Sequence, residues 1–154
     1  MRFLFIDRVT SLERGRRITG IKLFGSSEPF LESHFTRAAL VPGVLLIEAM
    51  AQLLGWLASY SYDFRCVAVL ALMSDVTVPA ALKPGARVEI EGKLLSTSER
   101  DSLGAATATV DGEIVARVDR LILHHVALPT GETARDFFLY YAGIDDLSSL
   151  EHPA

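Results

Sequence analysis

The sequence predicts an α+β domain in which one long central helix is wrapped by a five- to six-stranded antiparallel sheet. Three observations carry that expectation. A single apolar run is centred on VLLIEAMAQLLGWLASY; alternating or apolar stretches lie on both sides of it; and turn signals separate those stretches. With 154 residues, half of them hydrophobic and 22% charged, the chain suits one domain that builds its own core.

The elements follow in order. Phe5 to Leu12 and Arg17 to Phe24 flank a turn at ERGR, where Gly15 is expected to take a positive φ. The stretch from Ala38 to Ala58 approaches membrane-spanning length but carries Pro42, Gly43, Glu48 and Gln52. A carboxylate at mid-membrane depth is expensive, so a buried helix and no membrane partner are expected. The helix should start at Pro42 or Gly43, because proline suits a first helical turn. It is apolar nearly all round, and Glu48, Gln52, Gly55 and Ser59, spaced by four, three and four, line one narrow stripe. Beyond it, Val67 to Val78 is continuously hydrophobic at first, while RVEIEGKL alternates and puts Val88 and Ile90 on one face. AATATV and EIVARVDRLILHH bracket Asp111-Gly112, a strong signal for a two-residue hairpin turn.

Several function classes are disfavoured. Fifteen Lys and Arg against nineteen Asp and Glu give a net charge of −4, so no broad footprint for nucleic acid exists. The lone Cys66 can form no internal disulfide, and no Cys/His cluster has zinc spacing. The apolar start of MRFLFIDRV meets Asp7 too soon for a signal peptide, and a cytoplasmic setting is expected. His124 and His125 are adjacent on an expected strand and point to opposite faces, so they cannot jointly grip a metal. Ser33 precedes His34 but lies in no GxSxG elbow, and glycine-rich phosphate cradles are absent. No cofactor and no metal are expected.

The segment entering the helix, HFTRAALVPGVLLIEAMAQ (residues 34–52), resembles the signature of the β-hydroxyacyl-acyl carrier protein dehydratases of type II fatty acid synthesis. His34, Phe35, Pro42, Gly43, Val44, Leu45, Glu48, Met50, Ala51 and Gln52 match the family pattern. FLFIDRV, SSEPFLESHF, VTVPAALKPGARVEI and the late VDGEIVA hairpin are similar to that family in the same order. The resemblance covers roughly residues 1–125 and implies the hotdog fold, leaving 126–154 as a C-terminal extension with a short aromatic-rich helix. Thr36 and Arg37 stand where the family has Pro-Gly, and Ala39 replaces a further proline. Those changes touch the active-site loop, whereas His34 and Glu48 keep the family's fourteen-residue separation.

Eliminating water from a 3-hydroxyacyl thioester needs a base for the C2 proton, an acid for the departing hydroxyl and a donor for charge on the thioester oxygen. Histidine as a residue type titrates near neutrality, so His34 suits the first task. Glu48, on an apolar helix, suits the second as a proton donor. Gly43, at the helix N-terminus where unpaired amides favour an oxyanion, suits the third. The resemblance gives these three positions the same roles, and implies a homodimer, with a trimer of dimers as a higher assembly, in which His34 of one subunit meets Glu48 of the other. Gln52, one turn on, either orients Glu48 or satisfies backbone groups of the opposing subunit. Arg37 is the expected contact for an acidic acyl carrier protein or a phosphopantetheine phosphate.

The reaction expected is therefore dehydration of a 3-hydroxyacyl thioester, carried on acyl carrier protein or CoA, to the trans-2-enoyl product. A hotdog thioesterase and a non-catalytic acyl-binding hotdog protein are the alternatives. In the extension, ETARDFFLYYAG is expected to form a helix closed by Gly143, with its aromatics serving as surface cover or as a cap over an acyl tunnel.

Overall fold

Alternation sets the inward face of each strand. In the computed structural model, which describes residues 3–31, 38–79 and 81–151, β1 (Arg8–Glu13) and β2 (Arg17–Leu23) form an antiparallel hairpin around Gly15 at φ 69°. A register shift between Val9 and Ser11 resets the phase of β1, so Val9 and Leu12, three apart, are both buried. β3 (Cys66–Thr77), β4 (Arg87–Thr97), β5 (Asp101–Val110) and β6 (Glu113–Ala127) complete one six-stranded antiparallel sheet in the order β1-β2-β4-β5-β6-β3. Asp111 at φ 52° and Gly112 at φ 83° make the two-residue turn between β5 and β6.

The helix α1 (Gly43–Ser61) lies across the inner face of this sheet, the arrangement the hotdog resemblance implies. Leu46, Ala49, Met50, Leu53, Leu54, Leu57 and Ala58 are all fully buried, which is why the sequence is apolar nearly all round. By length and composition α1 could cross a membrane, but its burial here is that of a core helix.

Glycines bring the helix close. An added Cβ on Gly92 would lie 2.9 Å from Leu54 Cγ, and one on Gly104 would lie 2.8 Å from the Lys93 carbonyl oxygen and 3.0 Å from Leu54 Cδ2. Leu54 therefore beds into a seat made by two neighbouring strands. Gly104→Ala is expected to destabilise the fold by about 1–3 kcal/mol, because a backbone oxygen cannot step aside as a side chain can. Urea unfolding of the variant beside wild type checks this, and unchanged stability would show that the helix does not need the seat.

Several boundaries differ from the sequence expectation, among them β4, which runs on to Thr97, and β5, which starts at Asp101. The first strand begins at Arg8 rather than Phe5, because the Phe5 N–H donates to the Gln52 side chain at 2.9 Å instead of to a strand. The last strand runs to Ala127, past the expected limit at 125, held by its pairing with Cys66 on β3. The chain then folds back as α2 (Glu132–Ala142) and the short α3 (Ser148–Glu151), both against β1, with Phe138, Ala142 and Leu150 joining the common core. Gly143 ends α2 in the left-handed region at φ 69°.

β3 stands at the sheet edge, and Val67, Val69, Leu72, Met73 and Val76 on it are exposed. The hydrophobicity of this stretch thus serves a strand with little of its surface covered within the chain.

Candidate active site

The N-terminus of α1 is placed from outside the helix. Val41 N–H donates to the Leu82 carbonyl at 2.7 Å, and Pro42 turns the chain into α1 at φ −59°, ψ 131°. Gly43 is the first helical residue, so its N–H has no intrahelical acceptor. A Cβ there would come within 2.8 Å of Val78 Cβ, so the glycine allows the segment after β3 to pass close to the helix start.

Glu48 is half-buried farther along α1, and its Oε1 accepts a hydrogen bond from Gln52 Nε2 at 2.8 Å. The same amide nitrogen donates to the Phe3 carbonyl at 3.0 Å, while Gln52 Oε1 accepts from Phe5 N–H at 2.9 Å. Both donors of the Gln52 amide are thereby engaged. Within the chain, Gln52 contacts Glu48 and satisfies backbone groups of the N-terminal segment. That segment was not legible as part of the site, since nothing in FLFIDRV signals that its amides would clamp a side chain 47 positions away.

From Gln52 onward the polar stripe of α1 lines a cavity of about 710 Å³. Gln52, Gly55 and Ser59 form one side, with Leu4, Trp56 and Phe137 among the residues that close around them. A mostly apolar cleft of this size, with a carboxylate-bearing turn adjoining it, suits a small molecule with a long apolar part. His34 and Arg37 lie outside the described residues. Among the described residues, Gly43, Glu48 and Gln52 lie on one helix, and Glu48 and Gln52 are in contact.

The other titratable groups fall elsewhere. His124 is exposed and its Nδ1 is 2.8 Å from Asp101 Oδ1. His125 is buried, its Nε2 2.8 Å from Ser102 Oγ and its ring packed edge-on to Tyr62. Burial pushes the Cys66 thiol up, against a smaller opposite pull from the Arg65 guanidinium, so this cysteine is a poor nucleophile.

One helix wrapped by one antiparallel sheet defines the hotdog class, and solved structures agree. The dehydratase heterocomplex ApeI:P from Xenorhabdus doucetiae superimposes with a TM-score of 0.69 at 17% identity, covering 86% of this chain and 88% of that one. The chain belongs to the FabA-like domain family, whose model matches residues 1–119. It is 35% identical over 120 residues to the 3-hydroxyacyl-[acyl-carrier-protein] dehydratase FabZ of Caldicellulosiruptor bescii, spanning 77% of this chain and 86% of that protein. Against the FabZ of Thiobacillus denitrificans it is 34% identical over 121 residues, spanning 76% and 83%.

Proposed function

We propose that this chain is a 3-hydroxyacyl thioester dehydratase, a lyase of fatty acid biosynthesis that takes its substrate on acyl carrier protein. The observation that carries the reading is the Glu48 carboxyl held by Gln52 beside the apolar cavity, on a helix whose first free amide is Gly43. In the proposed reaction, His34 removes the C2 proton, the electron pair forms the C2–C3 double bond, and the C3 hydroxyl leaves as water with a proton from Glu48. Gly43 N–H stabilises the charge that gathers on the thioester oxygen during proton removal. Gln52 acts through Glu48 as a positioning residue, because it has no donor left for substrate. Arg37 meets the acidic carrier or its phosphate. The proposed setting is the cytoplasm, where Cys66 stays a thiol.

The working unit is proposed to be a homodimer in which His34 of one subunit faces Glu48 of the other. Support comes from the exposed apolar side chains along edge strand β3, which a second copy would cover. Mixing inactive His34→Ala with inactive Glu48→Gln after verified subunit exchange is expected to restore dehydration through hybrid sites, to about a quarter of the wild-type sites. No recovery would place both residues in one chain's site. Retention of thioester cleavage without enoyl formation would favour the thioesterase reading instead.

A further inference from the structure

We infer that the C-terminal helix α2, through Phe137 packed against Trp56, forms the end wall of the acyl cavity and sets the longest acyl chain the protein accepts. The inference rests on the proposed function for the identity of the occupant, and concerns residues beyond those matched by the family model, which ends at 119.

Position is the first argument. Gln52, Gly55 and Ser59 follow one another down α1, so the cavity runs from the residue that holds Glu48 toward the C-terminus of the helix, roughly 10 Å from Gln52 to Ser59 at about 1.5 Å per residue. At that far end the chain after β6 crosses back. Leu128 N–H donates to the Arg65 carbonyl at 2.8 Å, and an added Cβ on Gly131 would lie 2.6 Å from the Asp63 carbonyl oxygen, so only glycine lets the start of α2 sit this close to the turn that ends α1. Thr133, Ala134 and Phe137, one face of α2, then line the cavity.

Anchoring is the second. Phe138 is 1% exposed and packs on Trp56 at 5.2 Å and Phe64 at 5.5 Å between ring centroids, which fixes α2 in the core. Its neighbour Phe137 remains 44% exposed, with its ring 5.7 Å from Trp56 and its side chain in the cavity wall. One aromatic therefore holds the helix and the next bounds the space. An apolar chain growing along the cavity gains about fourfold in affinity per methylene buried, and the gain stops where the chain meets this wall.

The test uses full-length wild type, Phe137→Ala and Phe137→Trp, each first shown to melt as a folded protein. Dissociation constants are measured for unreactive saturated acyl-pantetheine thioesters of graded length, beside kcat/KM for the corresponding 3-hydroxyacyl thioesters. In wild type, affinity is expected to rise with length and then break off. The break should move to longer chains by two or more carbons in Phe137→Ala and to shorter chains in Phe137→Trp, in binding and in turnover alike. A break at the same length in all three proteins would overturn the inference, as would binding that ignores chain length. Should the break shift in binding while no protein forms enoyl product, the end wall stands and the dehydratase reading falls; enoyl formation with an unshifted break gives the reverse.

Discussion

Glu48→Gln is expected to lower kcat/KM for enoyl formation by about 10²- to 10⁴-fold while leaving the protein folded. The substitution keeps an oxygen for the Gln52 Nε2 donor, now 2.8 Å from Glu48 Oε1, and removes only the proton that must pass to the leaving hydroxyl. Gln52→Leu should behave differently. It frees the Glu48 carboxyl and strands the part-buried Phe5 N–H, so a smaller loss of rate should come with a loss of stability of about 1 kcal/mol, the low end for an unsatisfied amide. Steady-state rates and urea unfolding on both variants separate the two effects. Near-wild-type turnover in Glu48→Gln would remove the carboxyl from the reaction.

Phe138→Ala is expected to cost about 3–5 kcal/mol, the range for deleting a buried phenylalanine ring. The ring touches Trp56 and Phe64 together, and α2 has eleven residues, too few to persist as a helix without docking. Its loss should therefore release α2 as a unit and expose Trp56. Denaturant unfolding, with Trp56 fluorescence as a second signal, checks this. Tyr140→Ala on the same helix is the control, expected to stay within about 0.5 kcal/mol because that side chain is 72% exposed. Equal effects at the two positions would mean that α2 is not held by Phe138.

The fold was legible where local rules act alone. Asp111-Gly112 made its turn, Val88 and Ile90 shared the inner face, and α1 began at Gly43 because proline and glycine mark a helix start. Less legible were features set by contacts distant in sequence. Gly92 and Gly104 carry no local signal of it, yet they are where Leu54 enters the sheet. The stripe of Glu48, Gln52, Gly55 and Ser59 could be seen from spacing, but not that its second member is clamped by the backbone of residues 3 and 5, nor that Phe137 lines the same cavity. The apolar run of β3 marked a strand, but not that Val67, Val69 and Val76 would stand exposed at the sheet edge.

The most direct measurement incubates the protein with a 3-hydroxyacyl thioester on acyl carrier protein and follows enoyl absorbance and free thiol in one reaction. Enoyl product that approaches the same equilibrium from the hydroxyacyl and the enoyl side, with no thiol released, is the predicted result. Thiol release without enoyl product would contradict it and make the chain a thioesterase; tight binding with neither product would make it an acyl-binding protein.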